Sequence, residues 1–187
     1  MKITVQLNNY NNDWYKKHIG ASRLKQFLWY CINATFFINP LNFSSGNKIW
    51  LLKRFGAVMG KNVIIKPGVN IKYPWLLFVD DFTWIGERVW IDNLARVVIG
   101  KNVCLSQGAM LLTGNHNYKK SGFDLVVKDI HIQDGVWIGA RAIVCPGVIC
   151  ESHSILTASS IAASNMASYK IYQGNPAVEI RERIISS

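Results

Sequence analysis

The sequence predicts an all-β fold, a parallel β-helix in which each group of six residues forms one flat side of a coil. The first observation is a six-residue repeat of aliphatic or small residues: Ile132, Ile138, Val144, Cys150, Leu156 and Ala162. The second is a companion series four residues later: Val136, Ala142, Val148, Ser154, Ser160 and Met166. A helix repeats every ~3.6 residues and a strand every ~2, so neither gives this spacing. A β-sandwich is disfavoured because its strands alternate over only about 4–8 residues, whereas these positions keep one phase.

An earlier half of the repeat extends the β-helix towards the N-terminus. Its inward positions shift by two residues before Ile85 and again before Ile99, which indicates small bulges or loosened corners. The series reads Met59, Ile65, Ile71, Leu77, Ile85, Ile91, Ile99, Leu105 and Leu111. We therefore expect the β-helix to span residues 58–168, with Cys150 as a small core residue.

One long interruption breaks the repeat, at residues 113–129. This segment carries no six-residue pattern, and the register resumes at Ile132. A loop of this length inside a compact repeat array is uncommon and usually functional. His116 lies near its start, shortly after Gly114, so the interruption draws attention to this histidine.

The N-terminal segment, residues 1–57, does not follow the repeat. Residues 1–20 are polar and predicted to be irregular, while residues 22–38 and 46–56 look helical and are separated around Asn39-Pro40. We expect this segment to pack on the β-helix as part of one domain, which suits a chain of 187 residues.

The C-terminal segment, residues 169–187, also leaves the repeat. The tripeptide Gly174-Asn175-Pro176 is a turn signal. The run from Val178 to Ile185 is expected to form a short final helix.

The positive charge is concentrated near the N-terminus. Residues 1–61 hold nine Lys or Arg and one acid, whereas residues 62–187 hold twelve basic and ten acidic residues. Two interpretations stay open: this basic, aromatic segment lies on an anionic membrane surface, or its helices pack on the β-helix or a neighbouring subunit with solvated charges. Nucleic-acid binding is disfavoured because no recognised motif accompanies the charge.

Cysteine usage and hydropathy give an expected compartment. Four cysteines show no metal-ligand spacing and no disulfide framework, and the sequence shows neither a signal peptide nor a stretch long enough to span a bilayer. We expect a reduced, cytoplasmic protein, at the inner membrane face if the basic segment binds lipid.

The motifs together resemble the hexapeptide-repeat acyltransferases. The resemblance rests on the repeats, Gly-Asn-His-Asn-Tyr at 114–118, Val-Trp-Ile-Gly-Ala at 136–140 and Gly-Asn-Pro-Ala at 174–177. Within that family the chain is most similar to the O-acetyltransferases of the colanic-acid-biosynthesis type. The resemblance implies a left-handed coil, a homotrimer with active sites between subunits, acetyl-CoA as donor, no metal, and a sugar hydroxyl of a surface polysaccharide as acceptor.

The resemblance implies that His116 is the general base. An alcohol is a poor nucleophile at neutral pH, and an imidazole with a pKa of about 6.5 is suited to remove its proton. The thioester is already activated, so no covalent intermediate is needed. The other histidines, His18, His131 and His153, are expected on the surface.

The resemblance also indicates residues for the two substrates. Asn93 is expected to help bind the acceptor hydroxyl, although an Asn that stabilises a corner of the coil is the alternative. Asp92 is expected to orient His116 or to contact the acceptor. Gln107 and Tyr118 are expected to contact the acceptor. The donor is expected to contact Trp137, Gly139, Ala140, Ala158, Ser159, Ser164, Asn175 and Arg181.

One departure from the family concerns the phosphates of CoA. Family members carry Thr-Lys where this chain has Ala163-Ser164. The expected cation is therefore missing, and Arg181, with Arg183 and Lys170 as substitutes, is the candidate to replace it.

Three alternative functions stay open at this point. The chain could be a catalytically inactive trimeric scaffold, or a transferase that uses another acyl donor or an amine acceptor. The third alternative is a hydratase of the carbonic-anhydrase kind, which needs three histidines that converge on a metal.

Overall fold

The computed structural model describes residues 3–186, which form a left-handed parallel β-helix with helices before it and a β-hairpin after it. The helical elements are a 3-10 turn at Leu7–Asn9, α1 (Asp13–His18), α2 (Arg23–Ile32) continued by a π-helical turn at Asn33–Phe37, α3 (Ser45–Arg54) and a 3-10 turn at Pro74–Leu76. The two helices predicted between residues 22 and 56 are thus present, and the region predicted to be irregular contains α1.

Nineteen short strands lie between residues 58 and 182. In chain order they are β1 (Val58–Met59), β2 (Ile64–Ile65), β3 (Asn70–Ile71), β4 (Leu77–Val79), β5 (Trp84–Ile85), β6 (Trp90–Asp92), β7 (Val97–Ile99), β8 (Cys104–Leu105), β9 (Met110–Leu112), β10 (Gly114–His116), β11 (Leu125–Val127), β12 (Ile130–Ile132), β13 (Trp137–Ile138), β14 (Ile143–Val144), β15 (Ile149–Cys150), β16 (Ile155–Leu156), β17 (Ile161–Ala162), β18 (Lys170–Gly174) and β19 (Ala177–Glu182).

The β-helix has the shape of a prism, and three parallel sheets form its sides. Sheet 1 has the order β1-β4-β7-β12-β15, and sheet 3 has the order β3-β6-β9-β14-β17. Sheet 2 runs β2-β5-β8-β13-β16-β18 and ends with the antiparallel strand β19. Successive coils stack in register, as Val58 pairs with Phe78 and Phe78 with Val98.

The predicted inward positions form the core. Ile65, Ile85, Leu105, Ile138 and Leu156 are fully buried on the inner side of sheet 2. Full burial of such a side chain contributes about 1.5–3 kcal/mol, so each coil is stabilised mainly by its inward residues.

Two more features of the predicted repeat can be located in the core. Cys150 is a core residue, as predicted, and burial raises the pKa of its thiol to about 12. The two-residue shifts fall where sheet 1 has three-residue strands with both ends inward, such as Leu77 and Val79 of β4.

Side chains of the N-terminal helices cover the open edge of the first coil. Trp29 Nε1 donates to the carbonyl of Ile71 at 2.8 Å, and the backbone N–H of Ile71 donates to Asn33 Oδ1 at 3.2 Å. The backbone N–H of Ile65 donates to Ser45 Oγ at 2.7 Å. An uncovered sheet edge would pair with other chains, so these bonds close the β-helix at its N-terminal end.

Lys48 of α3 completes this cover. Its side chain is fully buried, and Nζ donates to the carbonyls of Asn42 (2.8 Å) and Lys66 (2.9 Å). Burial lowers the pKa of this ammonium from its ordinary value. The Lys48 ammonium therefore donates hydrogen bonds to two backbone carbonyls that would otherwise be unpaired.

The predicted C-terminal helix is wrong, because residues 178–182 belong to strand β19. β18 pairs with β16 and folds back through a tight turn onto β19, so a hairpin closes the edge of sheet 2. The β-branched residues Val178 and Ile180 suit this pairing. The free edge of sheet 2 supplies hydrogen-bond partners that a local sequence pattern does not reveal.

We expect Lys48→Met to lower the free energy of unfolding by about 2 kcal/mol, because two part-buried backbone carbonyls lose their donor. Lys53→Met is the matched control, since Lys53 is exposed on the same helix. Chemical denaturation of both variants gives the comparison. Equal stability of the two variants would contradict the assigned role of Lys48.

Candidate active site

The predicted loop is a β-hairpin inserted between two coils. β10 and β11 pair antiparallel, with His116 opposite Leu125. The coils continue undisturbed across the insertion, since β12 pairs in register with β7. The hairpin leaves the prism at the corner where the chain passes from sheet 3 to sheet 1, here called the hairpin corner, whose residues include Asn93 and Thr113.

Phe123 holds the imidazole of His116 in two ways. His116 Nδ1 lies 2.9 Å from the Phe123 carbonyl oxygen, and the two rings stack with centroids 4.3 Å apart and planes 5° apart. A carbonyl can only accept, so Nδ1 carries the proton and Nε2 is left as the basic nitrogen. This tautomer is the one that a general base at Nε2 requires.

Phe123 and Tyr10 are site residues that the sequence did not reveal. Phe123 has φ +52, in the left-handed region. Tyr10 lies far away in sequence, yet its ring centroid is 5.9 Å from that of His116. The only sequence signal was that both residues are aromatic, and that signal did not distinguish them from the other aromatic residues.

A groove lies beside the hairpin corner, between α2 and the outer face of sheet 3. It has a volume of about 540 Å³. Its aromatic lining includes Phe27, Tyr30 and Trp90, and its polar lining includes Lys72 and Asp92. Aromatic walls with a few polar groups are typical of small-molecule sites.

Asp92 connects this groove to the hairpin. Its carbonyl accepts a bond from Thr113 Oγ1 at 3.0 Å, at the residue where the hairpin begins. The side-chain Oδ1 of Asp92 lies 3.1 Å from Lys72 Nζ, so the two groups form an ion pair. The angles at this contact do not meet those of a hydrogen bond. Because the Phe123 carbonyl already holds His116 Nδ1, Asp92 does not take that orienting position.

Asn93 is buried at the same corner. Its Oδ1 accepts from the backbone N–H of Tyr73 at 2.9 Å, and its Nδ2 donates to the carbonyl of Tyr73 at 2.6 Å. Both polar atoms are thus used in joining two coils. This geometry matches the corner-stabilising alternative for Asn93. Burial and then Asp92 raise the pKa of the nearby Tyr73 hydroxyl.

A second corner, where the chain passes from sheet 2 to sheet 3, carries several predicted donor residues. We call it the small-residue corner, since Gly139-Ala140 and Ala158-Ser159 stack there. A Cβ on Gly139 would lie 2.5 Å from the backbone N of Ala158, so the close stacking of coils requires glycine. Gln107 is exposed at this corner, away from the hairpin.

The other predicted donor residues lie around this corner or beyond it. Trp137 is 46% exposed on sheet 2, and its Nε1 donates to Ser106 Oγ at 2.8 Å. Asn175 is exposed at the tip of the C-terminal hairpin, next to Gly174, whose N–H donates to Ser160 Oγ. Ser164 lies elsewhere, at the hairpin corner after β17.

Three cations of the C-terminal hairpin differ in their partners. Lys170 forms ion pairs with Glu179 and Glu182. The pKa of the Lys170 ammonium is raised, chiefly by its hydrogen bond to Glu179. Arg183 donates to two backbone carbonyls. Arg181 has no hydrogen bond or salt bridge to any residue between 3 and 186, so its guanidinium is available to an external anion.

One subunit does not bring the predicted base and donor residues together. His116 is at the hairpin corner, whereas Gly139, Ala140, Ala158 and Ser159 line the small-residue corner. The width of sheet 3 separates the two corners. A second copy of the chain would be needed to place one corner beside the other.

The remaining histidines lie on other elements of the structure. His131 is exposed on sheet 1, and His153 lies at the corner between sheets 1 and 2, where its ring is 4.8 Å from that of Tyr169. Among residues 3–186 no group of three or more His, Cys, Asp or Glu is arranged to hold a metal. His18 is exposed in α1, and Tyr118 is exposed at the hairpin tip.

The chain is 34% identical over 165 residues, 88% of its own length and 91% of the relative's, to the colanic acid biosynthesis acetyltransferase WcaF of Escherichia coli. No protein-family model matches the sequence.

Solved structures share the fold. A hexapeptide-repeat acetyltransferase from Vibrio cholerae, in complex with acetyl coenzyme A, superposes with a TM-score of 0.75 at 19% identity and covers 87% of each chain. A maltose O-acetyltransferase from Clostridium difficile superposes with a TM-score of 0.72 at 18% identity and covers 94% of this chain and 91% of that one.

Proposed function

The chain belongs to the hexapeptide-repeat acetyltransferase family, and we propose that it transfers the acetyl group of acetyl-CoA to a sugar hydroxyl in the synthesis of a surface polysaccharide. The observation that carries this proposal is the His116 imidazole, whose Nδ1 is bonded to the Phe123 carbonyl. The polysaccharide acceptor is supported by the similarity to a colanic acid biosynthesis acetyltransferase.

In the proposed reaction His116 Nε2 removes the proton from the acceptor hydroxyl as its oxygen attacks the thioester carbonyl. The C–O bond forms and the C–S bond breaks. The imidazolium then returns the proton to the thiolate of CoA, so His116 ends the cycle unchanged. Removal of a general base costs typically about 10²–10⁴-fold in rate.

The groove between α2 and sheet 3 is the proposed acceptor site. One face of a sugar ring presents C–H groups that can pack on aromatic rings such as Phe27 and Trp90. The hydroxyls of the sugar can bond with polar groups such as Lys72 and Asp92. Asp92 belongs to the corner from which the hairpin with His116 leaves, so a sugar in the groove would lie near the base. Tyr118 at the hairpin tip stays a proposed acceptor contact.

The small-residue corner is the proposed donor site. Small side chains such as Ala140 and Ser159 leave room for the narrow pantetheine arm, and Trp137 offers an exposed wall. Arg181 is proposed to bind the CoA phosphates in place of the missing Lys, since Lys170 and Arg183 are engaged with other groups. Asn175 and Ser164 remain proposed contacts.

We propose that the chain forms a homotrimer, which the separation of the two corners supports. If the hairpin corner of one subunit lies beside the small-residue corner of the next, each contact brings one base and one donor site together. Gln107, which lies at the small-residue corner, would then face an acceptor held by the neighbouring subunit. Three such contacts close a ring, which produces three equivalent active sites.

We also propose that the enzyme associates with anionic membranes through α2 and α3. No Asp or Glu occurs between Trp14 and Val79, a stretch with ten Lys or Arg. The outward face of α2 presents Leu24, Phe27 and Leu28 at spacings of three and four residues, and these side chains are 66%, 62% and 46% exposed. Amphipathic helices of this kind lie on lipid surfaces.

This surface also adjoins the proposed acceptor groove, because Phe27 belongs to both. A lipid-linked sugar could therefore reach the groove from the membrane. None of the described helices has both the length and the hydropathy that crossing a bilayer requires.

We expect His116→Ala to lower CoA release from acetyl-CoA with an accepted sugar by about 10²-fold or more. His131→Ala is the matched control, since His131 is exposed on another face. A His116→Ala variant with wild-type turnover would overturn the base mechanism. Wild-type protein that releases no CoA with any tested sugar would instead favour another acyl donor, another acceptor or the inactive scaffold.

We expect analytical ultracentrifugation to give three times the subunit mass of 21.1 kDa. Each complete site needs two neighbouring subunits, and a closed ring of three subunits completes all three sites. A protein that is monomeric at the concentrations at which it is fully active would contradict the shared-site proposal.

We expect the protein to sediment with phosphatidylglycerol vesicles at low salt and to bind neutral phosphatidylcholine vesicles much more weakly. Lys53→Glu with Arg54→Glu should weaken binding by at least about 30-fold, because each basic residue near the surface contributes about 1 kcal/mol and the new carboxylates add repulsion. Lys101→Glu with Lys128→Glu reverses the same number of charges on the β-helix and is the matched control. Equal loss in both pairs, or equal binding to neutral vesicles, would contradict an oriented membrane contact.

A further inference from the structure

The segment from residue 3 to residue 19 crosses over the hairpin that carries His116. We call this segment the N-terminal strap. The backbone N–H of Gln6 donates to the carbonyl of Ser121 at 2.9 Å, near the tip of the hairpin. The carbonyl oxygen of Asn9 lies so close to Gly122 that a Cβ there would be 3.1 Å away. The strap therefore contacts the hairpin through backbone atoms, which many sequences could supply.

The far end of the strap is anchored to the β-helix. Tyr15 and Ile19 are buried in a small cluster with Leu125, the residue opposite His116 in the hairpin. The Tyr15 hydroxyl donates to the carbonyl of Leu94 at 3.0 Å, and Trp75 Nε1 donates to the carbonyl of Ile19 at 2.7 Å. Burial raises the pKa of Tyr15, so this hydroxyl stays protonated and keeps donating.

Tyr10 is the strap residue that faces the imidazole. The rings of Tyr10 and His116 are 5.9 Å apart and inclined by 52°, which is the range of favourable aromatic pairs. Tyr10 is half-buried, and its hydroxyl makes no hydrogen bond with any residue from 3 to 186. Tyr10 also packs against the cluster of Tyr15, Ile19 and Leu125 that anchors the strap.

We propose that the N-terminal strap is a positioning element of the active site and that Tyr10 is a positioning residue for His116. This inference rests on the proposed role of His116 as base. Phe123 fixes the tautomer and one ring contact, and Tyr10 restricts rotation of the imidazole away from the Phe123 carbonyl. Small displacements of a catalytic group, of about 1 Å, can cost about 100-fold in rate, so a ring contact of this kind affects turnover.

A positioning role differs from a purely structural one in its kinetic signature. The proposed donor residues lie at the small-residue corner, and the strap lies over the hairpin. Loss of Tyr10 should therefore lower kcat without changing the KM for acetyl-CoA. Because Tyr10 contacts His116 through its ring, Tyr10→Phe should keep the function.

The first experiment compares Tyr10→Ala, Tyr10→Phe and Trp14→Ala with the wild type. Trp14 is the matched control, an exposed aromatic residue on the same strap that contacts Tyr15 and His18 rather than the hairpin. We expect Tyr10→Ala to lower kcat by about tenfold or more, with the KM for acetyl-CoA within about twofold of the wild type. Tyr10→Phe and Trp14→Ala should turn over like the wild type and should unfold at the wild-type denaturant midpoint.

A second readout is independent of turnover. Long-range ¹H–¹⁵N NMR of the imidazole should show a single tautomer with the proton on Nδ1 in the wild type and in Tyr10→Phe. In Tyr10→Ala we expect signals averaged between the two tautomers. This measurement decides the inference even if no sugar tested supports turnover.

The two levels of the hypothesis fail in different ways. If His116→Ala is as active as the wild type, the proposed role of His116 as base fails, and the role of Tyr10 fails with it. If His116→Ala is inactive but Tyr10→Ala keeps both the wild-type kcat and the single tautomer, only the role of Tyr10 is overturned. Loss of kcat in Tyr10→Phe equal to that in Tyr10→Ala would also overturn it, since the ring contact would then not be the cause.

Discussion

Stacking of inward aliphatic side chains in one phase is the constraint on which the whole molecule depends. Each coil buries its inward residues only if the coil before it presents matching residues at the same height. The parallel register, as in Trp84 with Cys104 and Cys104 with Trp137, fixes that height. The constraint also explains the tight corners, since Gly139 cannot carry a Cβ without meeting the next coil.

The same constraint leaves two open ends, and the chain closes them differently. At the N-terminal end, side chains of the helices supply hydrogen bonds that a further coil would have supplied, and Lys48 is the extreme case of a buried charge used for this purpose. At the C-terminal end a hairpin extends sheet 2. The helices also have a second, outward face, which is free for interaction because the inward face alone seals the coil.

The fold could be predicted from the sequence because its period is local and repeated. The position of His116 followed from the one break in that period. The C-terminal hairpin, the pairing of Asn93 with Tyr73 and the contacts of Phe123 and Tyr10 with His116 could not be predicted in the same way. Each joins residues that are brought together only when coils stack or the strap crosses the hairpin, so no spacing in the sequence encodes it.

The undisturbed pairing of β12 with β7 across the inserted hairpin separates scaffold from loop. The ends of the insertion are already held at one corner by the stacked coils, so a longer or shorter hairpin changes the closure entropy only slightly, by about 0.6 kcal/mol for each doubling of length. Chains of this architecture can therefore vary the inserted hairpin while the stacked coils stay as they are. Variation in the length of this segment then costs the coils little stability.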